Sequence, residues 1–137
     1  MAGIVQDQDY HNEQVAPALG DGAVVYLGTV GGAERGKTLG SARALLHLIN
    51  FDEPFGLSVV EALACGTPVI ASNRGSMPEL IDHGVTGFLV DSVDAAVEAI
   101  DRVGEIDRAA CRAAVAARFT VDRMADRYLD LYRSVLG

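Results

Sequence analysis

Two carboxylates, Glu53 and Glu61, stand on either side of the seven-residue segment Pro54-Phe55-Gly56-Leu57-Ser58-Val59-Val60. Glu53 belongs to a loop, and Gly56 allows the backbone to approach a ligand closely. Ser58 is a good helix N-cap, so a helix is expected over about 58–64, with Glu61 in its first turn. The free amides at 57–60 would form an anion site, strengthened by the helix dipole. A carboxylate can hold two vicinal hydroxyls in bidentate fashion. Acids and amides together suit a ligand that combines hydroxyls with phosphate, as a sugar nucleotide does. The same residues have a plainer reading. Ser58-Val59-Val60-Glu61 is also a capping box, in which Glu61 returns to the Ser58 amide and only stabilises the helix.

Short apolar runs alternate with helical patterns along the chain. Strand-like runs fall at 2–5, 24–27, 44–49, 68–71 and 88–90. Helices are expected at 10–19, 34–42, 58–64 and 78–82, followed by three helical segments at 95–103, 107–118 and 121–136. Residues 44–49 are almost continuously apolar, which fits a strand buried on both faces. The last helix carries Met124, Tyr128, Leu131, Tyr132 and Val135 as one stripe. Such alternation predicts an α/β fold: a Rossmann-like parallel sheet with flanking helices. Ligands in such sheets bind beyond the carboxyl ends of the strands, where the loops after Leu27 and Ile49 lie.

With 137 residues, half of them hydrophobic and 22% charged, the chain reads as one globular domain. A net charge of -8 and the lack of a basic stripe argue against nucleic acid. Any phosphate site must therefore be made locally. Cys65 and Cys111 are expected to be reduced structural thiols. No run approaches the ~20 apolar residues of a membrane span, and no leader precedes the first polar cluster. Both features point to a cytoplasmic protein. The three histidines and two cysteines show no metal-ligand spacing. His47, inside an apolar run, reads as a core or strand-end histidine.

A second motif competes. Gly31-Gly-Ala-Glu-Arg-Gly-Lys37-Thr38 matches the Gly-x4-Gly-Lys-Thr phosphate loop, with Lys37 for the outer phosphates and Thr38 for magnesium. Gly40 would weaken the helix such a loop needs behind it, and the two glutamates have no role in that chemistry. A folded, non-catalytic fragment or assembly module is the remaining alternative.

Residues 51–71 resemble the donor-binding motif of retaining glycosyltransferases of family 4. The similarity extends to Asn73-Arg-Gly-Ser-Met-Pro-Glu79, to Asp82-His-Gly-Val-Thr-Gly-Phe-Leu-Val90 and to Phe119-Thr-Val-Asp-Arg-Met-Ala-Asp-Arg-Tyr-Leu-Asp-Leu-Tyr132. The resemblance implies the C-terminal half of a two-domain GT-B enzyme, one that moves a hexosyl unit from a UDP- or GDP-linked sugar to an acceptor hydroxyl. It implies retention and no required metal or cofactor. Glu53 would contact the donor sugar and Glu61 the ribose. Phe55 belongs to the Phe-Gly turn, and the amides of Gly56, Leu57 and Ser58 would face the diphosphate. Gly28, Thr29 and Val30 would lie beside the base. Such enzymes also have an N-terminal acceptor domain and a first donor-domain strand bearing an arginine and a lysine. This chain is expected to lack both, to be inactive alone, and to self-associate through the open sheet edge. Arg35, Lys37 and Arg74 are the nearest cations, each read as a surface charge.

Overall fold

The computed structural model describes residues 1–19 and 22–137, in two compact units, Met1–Arg35 and Gly36–Gly137. The first unit opens on residues 1–5 and continues through a helical run. That run consists of α1 (Gln8–Tyr10), a π-helical turn over His11–Val15 and a 3-10 turn over Ala16–Leu19. Asp7 caps it by accepting from the Tyr10 amide at 2.8 Å. None of this unit's described residues is buried.

The expected strands at 2–5 and 24–27 do not form ladders. Their backbones do meet: Leu27 N donates to Met1 O at 2.8 Å and Gly3 N to Gly28 O at 2.9 Å. A parallel ladder would instead send the Gly3 amide to the Leu27 carbonyl. The one-residue step occurs at Gly28, where φ is +65° and the extended path ends.

In the second unit a parallel sheet runs β1 (Leu45–His47), β2 (Val69–Ser72) and β3 (Gly87–Val90), in that spatial order. β2 pairs on both sides, His47 facing Ala71 on one and Ser72 facing Val90 on the other. Central position and apolar content go together here, since Val69, Ile70 and Ala71 are all fully buried. β1 lies at the edge, and Leu46 remains 51% exposed. The sequence pattern of a strand covered on both faces is therefore not realised there.

α2 (Gly32–Ser41) begins in the first unit and ends in the second. Its last carbonyls are taken up by Arg108, whose guanidinium donates to Gly40 O at 2.7 Å and Ala42 O at 2.9 Å. Buried Thr67 adds a bond to Leu39 O at 2.6 Å. Orphan carbonyls at a helix end need such donors. Around the sheet stand α3 (Leu57–Ala64), α4 (Met77–Leu80), α5 (Val93–Arg102), α6 (Arg108–Arg118) and α7 (Val121–Leu136). α3 contributes Val59, Ala62 and Leu63 to the core, and Cys111 of α6 joins them. Cys65 and Cys111 are free thiols.

The three C-terminal helices are present as expected. α7 has no buried residue, and its stripe from Met124 to Val135 faces outward, with Tyr128 and Tyr132 in tilted ring contact. No helix among the described residues is long and apolar enough to cross a membrane.

Candidate functional site

β1 and α3 are joined by the acid loop, and everything that follows lies in the second unit. Gly56, not Ser58, is the N-cap of α3, and it adopts the left-handed conformation at φ +71°. Its position is crowded: a Cβ there would lie 2.7 Å from both Leu80 Cδ1 and Met77 Cε. A side chain there would strain the backbone at this φ and displace the ends of both side chains, so the turn favours glycine. Ser58 becomes the second helical residue, exposed and without a capping bond. With the cap two residues earlier, Glu61 is no longer at the third helical position. The Ser58–Glu61 capping box thus has the wrong register.

The side chain that serves this helix end is Glu53. Its Oε1 accepts from the Phe55 and Gly56 amides, both at 3.2 Å. These two backbone bonds, Phe55 first, hold its carboxyl below the ordinary glutamate range. A depressed folded value stabilises the fold above the unfolded pKa of about 4.3, and that contribution is lost as pH falls through the folded value. A carbon-detected titration should place the Glu53 midpoint below that of a free glutamate. A midpoint at or above the free value would contradict these two bonds. Glu53→Gln should remove this one component from the acid-unfolding curve.

The amides of Leu57 and Ser58 donate to no other group among the described residues, as first-turn amides of an uncapped helix must. Gly56 is buried and spends its amide on Glu53, whereas Phe55 and Leu57 are more than 70% exposed. Glu61 is half-buried one turn further on. Glu53, Phe55, Gly56, Leu57, Ser58 and Glu61 thus all belong to one loop and the helix it opens. Gly28, Thr29 and Val30 belong to the first unit and precede α2 there.

Sequence reasoning missed the segment that supports the acid loop. Ser76 N donates to Glu53 O at 2.9 Å, and Gly75, at φ +56°, lets this segment lie against the Glu53 backbone. Arg74 pairs with Asp52 at 3.1 Å on the surface. Both contacts are tertiary, and no spacing in the sequence announces them. Beyond the carboxyl ends of β1, β2 and β3 lies a cleft of about 440 Å³, with Asn50, Ser72, Asn73, Arg74, Asp91 and Ser92 on its walls. This is where an open parallel sheet offers a ligand site.

The competing phosphate loop does not form. α2 starts at Gly32, so Gly36, Lys37 and Thr38 already lie inside a helix. Their amides are committed to that helix instead of cradling phosphates.

A parallel α/β unit with flanking helices defines a Rossmann-like domain. Residues 1–118 match the family Glycosyl transferases group 1, and the chain belongs to that family. It is 40% identical over 109 residues to the D-inositol 3-phosphate glycosyltransferase of Mycobacterium leprae, covering 73% of this chain and 26% of that protein. The same-named protein of Mycobacterium tuberculosis is 38% identical over 109 residues, with 23% of its length covered. The chain therefore spans about a quarter of the length of the curated relatives it matches. Among solved structures it is similar to Anabaena HepE in complex with UDP and glucose. The TM-score is 0.82 at 27% identity, covering 97% of this chain and 39% of that one. It is likewise similar to AviGT4, a glycosyltransferase of avilamycin A biosynthesis, with TM-score 0.78 and 28% identity over 98% of this chain and 42% of that one.

Proposed function

We propose that this chain is the donor-binding part of a retaining glycosyltransferase of family 4. It would hold a nucleoside-diphosphate sugar while a hexosyl unit passes to an acceptor hydroxyl. The observation that carries this reading is the acid loop itself: Glu53 and Glu61 bracket a helix N-terminus whose Leu57 and Ser58 amides have no partner. Glu53 offers its carboxylate to sugar hydroxyls, and Glu61 holds the ribose. The two open amides receive the diphosphate, and Gly28, Thr29 and Val30 are the residues proposed for the base. The HepE complexes with UDP and glucose and with UDP-glucose support a donor of this kind.

Catalysis would need more than the acid loop. Negative charge grows on the departing diphosphate, and stabilising it calls for cations at that position. Arg74 is engaged by Asp52, and Lys37 stands exposed on α2. In this proposal the acceptor and further cations are assigned to a separate N-terminal domain and to a first donor-domain strand, without which the donor-binding part would not turn over. Neither metal nor cofactor enters the proposed reaction, which is placed in the cytoplasm. A second copy at the edge strand β1 is the remaining proposed partner. Sedimentation showing a monomer at all concentrations would dismiss that copy.

Calorimetry with UDP, GDP, ADP and their sugars tests the assignment. Glu61→Ala is expected to weaken the preferred nucleotide by about tenfold or more, the loss of a charged bidentate hydrogen-bonding partner. Glu53→Ala should act mainly on the sugar-bearing form. Unchanged binding in both variants would refute the site.

A further inference from the structure

Two buried polar atoms near the acid loop have no hydrogen-bond partner among the described residues: His47 Nε2 and Ser76 Oγ. Buried polar side chains are nearly always paired, because an unmade bond costs the full desolvation of the group. Ser76 is tied by its amide to the Glu53 carbonyl, and its Oγ lies 3.5 Å from where a Gly56 Cβ would be. His47 ends β1, six residues before Glu53. The Glu53 carboxylate acts on its imidazole, opposing the downward push of burial on its pKa.

Glu53 has a conflict of its own. Its Oε1 occupies the Gly56 amide, which belongs to the same helix N-terminus as the open amides of Leu57 and Ser58. A carboxylate there stands in for a ligand's anionic group. A hexose hydroxyl that draws Glu53 toward itself replaces only one of the two amide bonds the carboxylate gives up, while His47 Nε2 has no partner among the described residues. One side-chain movement answers both needs, and the Ser76 amide holds the Glu53 backbone still meanwhile.

We propose that His47 is a positioning residue for Glu53. Its Nε2–H receives the carboxylate when a donor sugar pulls it off the Phe55 and Gly56 amides, and the freed Gly56 amide then joins those of Leu57 and Ser58. This rests on the donor-binding reading above and adds to it a residue outside the acid motif. UDP or GDP alone brings no hexose hydroxyl and does not need the exchange.

The test is calorimetry on the full chain with the pair UDP and UDP-glucose and the pair GDP and GDP-mannose, using whichever pair binds, on wild type, His47→Leu and His47→Gln. Leucine fills the site without a donor, and glutamine can place an amide near the Nε2 position. In His47→Leu the preference for nucleotide sugar over nucleotide should fall about tenfold, and in His47→Gln it should return to within about threefold of wild type, the scale of one hydrogen bond to a charged group. Free His47→Leu should melt no lower than wild type, because it removes an unpaired buried polar atom. A preference unchanged in His47→Leu, or a parallel loss of nucleotide and nucleotide sugar, overturns the role of His47 while leaving the donor site standing. Failure of wild type to bind either pair overturns the donor-binding reading and this inference together.

Discussion

Gly87→Ala is expected to cost the second unit at least about 4 kcal/mol, the range reserved for a disrupted core or backbone ladder. Gly87 opens β3 opposite Val69, and a Cβ there would lie 2.0 Å from the Val69 carbonyl oxygen and 2.9 Å from its carbonyl carbon. Nothing flexible stands in the way that could turn aside. Either β3 separates from β2 at this end, or β2 shifts within a core where Val69, Ile70 and Ala71 are fully buried. Total stabilities run to only about 5–15 kcal/mol, so this one change removes a large share of the margin. Urea unfolding followed by circular dichroism measures this directly. Gly104→Ala is the control: a Cβ there meets nothing within 4 Å, and the change should stay within about 0.5 kcal/mol. If the two variants unfold alike, the close approach of Gly87 to Val69 is wrong.

The second large effect concerns the site instead of the core. Gly75→Ala places a Cβ 2.6 Å from Glu53 N and 2.7 Å from Glu53 O, at a residue whose φ of +56° already disfavours a side chain. Left-handed backbone costs a non-glycine residue about 1–2 kcal/mol, and relief of the clash must move Glu53 itself. The Ser76–Glu53 backbone bond at 2.9 Å would then break, along with the aim of the Glu53 carboxylate at the Phe55 and Gly56 amides. The expected result is a unit that still unfolds cooperatively, about 2–3 kcal/mol less stable, with nucleotide-sugar affinity lost. Amide exchange at Phe55 and Gly56 should accelerate. Gly84→Ala, also at positive φ (+78°) but with open space at its Cβ, separates the two costs. It should show the backbone penalty of about 1–2 kcal/mol and leave donor binding intact. Equal binding by the Gly75 and Gly84 variants would show that the Gly75 contact does not position Glu53.

The sequence made the second unit readable where local pattern and burial agree. Residues 68–71 read as an interior strand because they lie in the middle of a parallel sheet, where both faces demand apolar side chains. The last three helices were expected as segments and α7 by its amphipathic stripe; the structure adds caps at Ser92, Asp107 and Thr120. The reading failed where a long-range contact outweighed local preference. Ser58 is the better capping residue by chemistry, but the fit of Gly56 against Leu80 and Met77 moved the cap two residues earlier. The Gly-Lys-Thr string carries the letters of a phosphate loop, and the chain winds it into α2 instead.

Composition and spacing by themselves determined the α/β class and the two glutamates of the acid loop, because alternating apolar runs and a turn before a helix are local properties. The segment Phe51 to Ala71 was enough to single out those glutamates. Only the tertiary structure decided how Glu53 is held and which groups surround it. Its amide partners follow from the left-handed turn at Gly56, and its backbone support comes from Ser76, 23 positions along the chain. The unpaired atom of His47 shows itself only once β1 and the acid loop are folded together. Hydrogen bonds of this kind depend on distances between residues far apart in sequence, and folding alone sets those distances.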